Sequence, residues 1–129
     1  VISSLLTTES SSGIMVVVGN TKGAEDACKY ESIGLIGFPY STSPTFLHRN
    51  IHSDPEKAWK EMLAIQSMAF NSGKAIRIYL SMAFGNPYGD DWSVDQFIRE
   101  TERLARNGFQ DIAYSDISGE GSVDSVGKL

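Results

Sequence analysis

Residues 14–38 read IMVVVGNTKGAEDACKYESIGLIGF, and this stretch decides the fold class. It opens at 14–18 with an apolar run rich in β-branched residues, which is typical of a parallel strand covered by helices. Residues 24–30 then predict a short helix, and residues 34–38 predict a second strand that ends at Pro39. A strand, a helix and a strand in this order predict a right-handed parallel crossover.

The same alternation continues along the rest of the chain. Serines at capping-box spacing, Ser53 with Glu56 and Ser93 with Gln96, mark two helix starts. The second of these helices has a predicted buried stripe of Val94, Phe97, Ile98 and Leu104. The other predicted elements are strands at 75–83 and 109–115, a helix that begins at 122, and a serine- and threonine-rich loop at 7–13.

Two α/β architectures fit this alternation of strands and helices. A doubly wound sheet is complete at this length, whereas an eight-unit barrel takes about 250 residues, so that the chain would hold about four units. Half a barrel leaves open strand edges, so the pattern alone favours the doubly wound sheet. In either architecture the loops that follow the strands form the functional face.

The composition bounds the partners and the compartment. The 129 residues suffice for a single domain, 1–129, with a hydrophobic core. A net charge of −5 argues against binding to nucleic acid, and the absence of a long apolar run argues against a membrane-spanning helix. The single cysteine, Cys28, cannot form an internal disulfide, which fits a reducing compartment such as the cytoplasm. The first residue is Val1 rather than methionine, so we expect a processed or truncated chain.

Three groups of polar residues are candidates for chemistry. Asp116 follows the fourth predicted strand, where a carboxylate can orient a substrate or share a proton; its alternative role is that of a turn aspartate. Asn20 and Lys22 flank a turn before a helix, which can hold an anion or can be purely structural. His48 and His52 are four residues apart but have no acidic partner at a known ligand spacing, so no metal site is predicted.

Read together, the loops after the four strands resemble a known family, the 3-hydroxy-3-methylglutaryl-CoA lyases. Residues 19–24, GNTKGA, resemble that family's Pro-Asn-Leu-Lys-Gly segment after the third barrel strand. Gly37 and residues 43–51, SPTFLHRNI, resemble its Gly-Ala-Ala-Ser-Glu-Ser-Phe-Ser-Lys-Lys-Asn-Ile stretch after the fourth strand. Residues 79–88, YLSMAFGNPY, resemble Tyr-Val-Ser-Cys-x-x-Gly-Cys-Pro-Tyr, and residues 115–119, SDISG, resemble Gly-Asp-Thr-Ile-Gly. Four similar loops in the right order favour the (β/α) TIM-barrel type, with this chain as strands 3 to 6.

The resemblance implies a metal-dependent carbon–carbon lyase. In that reaction a divalent metal, Mg or Mn, holds the hydroxy-acyl group of an acyl-CoA substrate, and a base removes the tertiary hydroxyl proton. The carbon–carbon bond then breaks, and the products are acetyl-CoA and acetoacetate. The family's metal ligands and its catalytic cysteine fall outside this chain, so the isolated chain is expected to be inactive.

The family's functional residues transfer only onto matching positions. Asp116 matches the functional aspartate of the sixth strand and is our candidate catalytic residue. The candidate substrate-binding residues are Asn20, Lys22, Ser43, Arg49, Ser81 and Asn86. The sequence departs from the family's pattern at three positions: Asn86 replaces a cysteine, Pro44 a glutamate and Ile117 a threonine. The change at Ile117 removes a hydroxyl from the site and leaves the exact substrate open.

Two hypotheses of different classes follow. In the first, the chain is the central part of a lyase barrel, and a homo-oligomer is expected because an open half barrel should associate through its edges. In the second, the chain is a small doubly wound domain that binds an anionic ligand or a partner without catalysis.

Overall fold

The computed structural model describes residues 13–128 as a four-stranded parallel sheet with its connecting helices. The predicted loop at 7–13 lies, apart from its last residue, outside the described residues. In chain order the elements are β1 (Ile14–Val17), α1 (Thr21–Cys28), β2 (Ile33–Ser41), α2 (Pro44–Ile51), α3 (Pro55–Asn71), β3 (Ala75–Ser81), α4 (Val94–Arg106), β4 (Ile112–Ser115) and α5 (Val123–Val126).

The order of the strands separates the two candidate architectures. All three strand pairs are parallel, and the order across the sheet is β1-β2-β3-β4, the same as along the chain. A doubly wound sheet reverses direction at a switch point, and this sheet does not. Right-handed crossovers that always step the same way put every helix on one face, as in a TIM-type (β/α) barrel. The barrel expectation is confirmed, and the preference drawn from pattern alone was wrong.

The two faces of the sheet differ in chemistry. On the helix-covered face the strands contribute large apolar side chains, among them Ile36, Phe38, Ile78 and Leu80, all fully buried. These side chains pack with α1 through α4 in one hydrophobic core. On the other face, Val17 is 58% exposed.

Among the described residues no helix is long and apolar enough to cross a membrane. The predicted self-association of the chain stays a prediction.

The second strand runs past the proline that was expected to end it. β2 continues to Ser41, and Pro39 pairs with Tyr79 of β3. The carbonyl of Gly37 accepts a hydrogen bond from Val18, so the backbone of Gly37 faces β1. Pro39, two residues further on, faces the same way, but β1 has ended there. Because Pro39 has no N–H to donate toward β1, the strand continues through the proline paired with β3 alone.

The connection between β2 and β3 contains an additional helix that the periodicity did not predict. α2 begins at Pro44, and the side chain of Ser43 caps it by accepting a hydrogen bond from the amide of Phe46 at 3.1 Å. The next helix, α3, is capped by Asp54 and not by Ser53, as the sequence had suggested. Helix α4 begins after Ser93 as predicted.

The predicted buried stripe of α4 is only half correct. Phe97 and Leu104 are fully buried, but Ile98 is 39% exposed and Val94 is half-buried. Ile98 immediately follows the buried Phe97, and adjacent residues on a helix point in directions about 100° apart. The helix therefore buries a narrower stripe than four apolar residues suggested.

Gly37 is a point of close approach between neighbouring strands. A Cβ atom at this position would lie 2.9 Å from Cε2 of Tyr79 and 3.2 Å from a methyl group of Val17. The aromatic ring of Tyr79 thus lies across the backbone of β2, and its hydroxyl is 3.3 Å from the sulfur of Met15. Only a glycine leaves room for this ring.

We predict that Gly37→Ala destabilises the fold, because the new methyl group must displace the Tyr79 ring. The expected loss is about 1–3 kcal/mol in the free energy of unfolding, the usual range for overpacking, measured by urea denaturation. Gly34→Ala on the same strand is the matched control, because a Cβ there meets nothing within 4 Å. Equal midpoints for the two variants would contradict the predicted overlap.

Candidate active site at the carboxyl ends of the strands

Three serines form a row across the last rung of the sheet. Ser41 of β2 pairs with Ser81 of β3, which in turn pairs with Ser115 of β4. Ser41 and Ser81 are buried, and the hydroxyl of Ser41 donates to the carbonyl oxygen of Ser81 at 2.9 Å. The last rung of the sheet thus carries small polar side chains on the face that the helices do not cover.

The chain turns sharply after Ser81. Met82 is buried and has a φ of 65°, in the left-handed region that residues with side chains rarely occupy. The indole N–H of Trp92 donates to the carbonyl of Met82 at 2.9 Å and helps to hold this conformation. A strained residue next to the serine row is consistent with a functional site, where such conformations cluster.

Ser43 is a fold element as well as a candidate ligand of the substrate. Its amide donates to the hydroxyl oxygen of Ser41 at 3.1 Å, which connects it through Ser41 to Ser81. Its own hydroxyl donates to Asp90 at 2.5 Å while also capping α2. Two candidates from separate loops, Ser43 and Ser81, are therefore joined by hydrogen bonds.

Sequence reasoning missed Asp90, which lies in the loop between β3 and α4. Its carboxylate also accepts from the amide and the hydroxyl of Thr45, at 3.0 and 2.9 Å. These hydrogen bonds, that of Ser43 foremost, lower the pKa of Asp90 below 3.8. No local motif marks this residue, because its partners lie 45–47 positions away in the chain.

Asn86 and Arg49 both contact Tyr88. The side-chain oxygen of Asn86 accepts from the amide of Tyr88 at 2.9 Å, and the guanidinium of Arg49 stands 4.7 Å from the centre of the Tyr88 ring. Cation–π contacts of this kind fix the position of an arginine while its charge remains available. Helix α2 and the loop after β3 are thereby in contact at a second point.

Asn20 and Lys22 make local contacts. Asn20 caps α1 by accepting from the amide of Gly23 at 2.9 Å. Lys22 is exposed and lies 3.5 and 3.6 Å from carboxylate oxygens of Glu25 and Asp26. The first loop therefore stands at the same end of the sheet, with its lysine held beside two acidic side chains.

The carboxylate of Asp116 organises its own loop. One oxygen accepts from the amides of Gly119 and Glu120 at 2.8 and 3.1 Å, and the other accepts from the amide of Gly121 at 2.8 Å. These backbone hydrogen bonds, that of Gly121 foremost, lower the pKa of Asp116 below 3.8. The side chain is thus an anion at neutral pH, exposed at the end of β4.

Two glycines let the last two loops approach each other. A Cβ on Gly121 would lie 2.7 Å from the Asp116 carboxylate and 3.4 Å from the ring of Phe84. A Cβ on Gly85 would overlap the carboxylate of Glu120. Asp116 therefore stands beside the loop that carries Asn86.

The described residues do not form a metal site. No three histidine, cysteine, aspartate or glutamate side chains among residues 13–128 are placed to hold an ion. His48 lies in α2, while His52 ends that helix with a left-handed φ of 50°, which breaks the helical spacing of the pair. The carboxylates of Asp90 and Asp116 are already engaged by protein donors.

A parallel sheet wound in one direction, with polar residues gathered at the carboxyl ends of the strands, is the arrangement found in (β/α) barrels. No family model matches the sequence. Among curated proteins, the cytoplasmic 3-hydroxy-3-methylglutaryl-CoA lyase of Danio rerio is 28% identical over 89 residues, or 69% of this chain and 27% of that protein. The hydroxymethylglutaryl-CoA lyase YngG of Bacillus subtilis is 28% identical over 110 residues, or 85% of this chain and 36% of that protein.

Solved structures agree with these matches. The Bacillus subtilis HMG-CoA lyase gives a TM-score of 0.82 at 26% identity, covering 93% of this chain and 40% of that chain. The lyase of Brucella melitensis gives a TM-score of 0.76 at 28% identity, covering 87% of this chain and 39% of that chain. The chain is thus similar in sequence and fold to 3-hydroxy-3-methylglutaryl-CoA lyases, and it spans between about a quarter and two-fifths of the length of these relatives.

We predict that protonation of Asp116 releases its loop only in acid. Because the pKa of Asp116 is lowered in the folded chain, the ionised carboxylate accepts its hydrogen bonds at and above pH 3.8. These hydrogen bonds are lost as the pH falls through the lowered pKa of the folded state. The amide NMR signals of Gly119 and Gly121 should titrate with midpoints below 3.8, and those signals should lose this titration in Asp116→Asn. A midpoint above 3.8 would contradict the assigned hydrogen bonds.

Proposed function

We propose that the chain forms the central part of a lyase barrel that cleaves an acyl-CoA of the 3-hydroxy-3-methylglutaryl type into acetyl-CoA and acetoacetate. The observation that carries the proposal is the gathering of the four family-like loops at one end of a singly wound sheet. The named activity of the curated relatives supports it. The sequence departures at Asn86, Pro44 and Ile117 leave room for a related acyl group.

Asp116 suits a role as an orienting anion. A carboxylate offers about four acceptor sites, and three are occupied by the amides of residues 119–121. The remaining site, on the oxygen bound by Gly121 alone, can accept a hydrogen bond from the substrate hydroxyl. A depressed pKa makes this group a weak base near neutral pH, so positioning and charge stabilisation are its proposed contributions.

The other candidate residues have proposed roles at the rim of the same site. Ser43, Ser81, Asn20 and Asn86 are proposed to line the pocket with polar groups. Lys22 and Arg49 are proposed to lie near the phosphates of coenzyme A, where cations attract a polyanion. Because residues 13–128 contain no ligand cluster, the divalent metal of the proposed reaction would be bound by other residues.

The proposal predicts activity for the full-length gene product and none for residues 1–129 alone. Both proteins would be incubated with 3-hydroxy-3-methylglutaryl-CoA and Mg²⁺ or Mn²⁺, and the release of acetyl-CoA would be measured. An inactive full-length protein would overturn the proposal. Robust turnover by residues 1–129 would show instead that no further segment is essential.

Within the full-length protein, Asp116→Asn should lower kcat by about 100-fold or more, because the fixed negative charge is lost. The matched control is Asp111→Asn, at the opposite end of β4, where the aspartate pairs with Arg77 at 2.9 Å and is 42% exposed. An exposed pair contributes at most about 1 kcal/mol to stability, so this control should keep its activity. Similar kcat values for the two variants would remove Asp116 from the proposed site.

A further inference from the structure

Asp90 connects two loops of the candidate site. It is half-buried, and it receives three hydrogen bonds from the start of α2, one from the hydroxyl of Ser43 and two from Thr45. Asn86 lies four residues before Asp90 in the same loop. Asp90 therefore joins the start of α2, which carries Ser43, to the loop that carries Asn86.

A third candidate residue, Arg49, is connected to the loop of Asp90 through Tyr88. In the loop that also carries Asp90, Asn86 accepts from the amide of Tyr88, and the Tyr88 ring packs under Arg49. Arg49 lies in the last turn of α2, whereas Ser43 precedes its first. The loop after β3 thus contacts both ends of α2, and Asp90 forms the contact at the N-terminal end.

Helix capping alone does not account for this carboxylate. Ser43 caps the amide of Phe46 and Asp90 accepts from that of Thr45, but Asp90 also accepts from the hydroxyls of Ser43 and Thr45, which helix capping does not require. The additional partners of Asp90 join separate loops, and removing water from a carboxylate costs free energy unless donors compensate. The three donors at the start of α2 provide that compensation and fix the relative position of the loops.

We propose that Asp90 is a positioning residue that holds Ser43, Asn86 and Arg49 in one substrate-binding rim. This inference rests on the proposed acyl-CoA lyase function and adds to it a residue that the family-like motifs do not contain. Asp90 acts through its neighbours, so its loss should weaken the binding of substrate more than it slows bond cleavage.

The test measures KM and kcat for 3-hydroxy-3-methylglutaryl-CoA in variants of the full-length protein. Asp90→Ala should raise KM about tenfold with kcat changed by less than about threefold, the size of effect expected from losing hydrogen bonds to a charged group. Asp90→Asn, which keeps one acceptor oxygen, should lie between wild type and Asp90→Ala. Asp91→Ala, a change at the exposed neighbouring aspartate, is the control and should leave both constants unchanged.

Two further measurements distinguish positioning from a general loss of folding. Amide hydrogen exchange at Thr45 should accelerate in Asp90→Ala and not in Asp91→Ala, while the urea midpoints show that both variants are folded. Asp90→Ala combined with Ser43→Ala should raise KM no further than Asp90→Ala alone, because the two residues act as one unit.

The outcomes separate the two proposals. Faster exchange at Thr45 with an unchanged KM would overturn the positioning role and leave Asp90 as a structural contact. A fall in kcat at constant KM would also overturn it. A wild-type protein that does not cleave the substrate would overturn the proposed function itself, and that result requires no variant.

Discussion

Right-handed crossovers that always step in the same direction are the constraint on which the rest of this structure depends. They place every helix on one face, so that this face needs large apolar residues such as Phe38 and Leu80. The opposite face carries Gly37 under the Tyr79 ring and the row of serines at the last rung. The same crossovers bring four consecutive loops to one end, where residues far apart in the chain can act together.

The polar groups at that end are largely bound to one another. Ser41 donates to Ser81, Ser43 donates to Asp90, and Asp116 accepts from its own loop. Among the described residues, no buried side-chain nitrogen or oxygen lacks a hydrogen-bond partner. In the proposed function such a rim would be fixed before the substrate arrives, and fixed dipoles stabilise developing charge without the cost of reorganisation.

Local chemistry explains which features the sequence could predict. Ser93 as a helix cap and Asp116 as a turn aspartate depend on partners three to five residues away, which a reader of the sequence can see. The strand through Pro39 was missed because its tolerance depends on where β1 ends. Helix α2 was missed because it has only eight residues and is followed almost at once by a second helix start. Asp90 depends on groups 45–47 residues away, and only the folded chain brings them together.

The charges at the rim bear on which cation would contact the phosphates of coenzyme A in the proposed function. Asp90 and Asp116 are both anions at neutral pH, because hydrogen bonds lower the pKa of each. An acyl-CoA is also an anion, so its binding requires positive charge nearby. Lys22 lies beside Glu25 and Asp26, whose negative charges offset much of its positive charge. Arg49 instead packs on the neutral ring of Tyr88. Of the two cations carried over from the family, Arg49 therefore has the charge better available for a phosphate, and it is the one that the loop containing Asp90 holds in place.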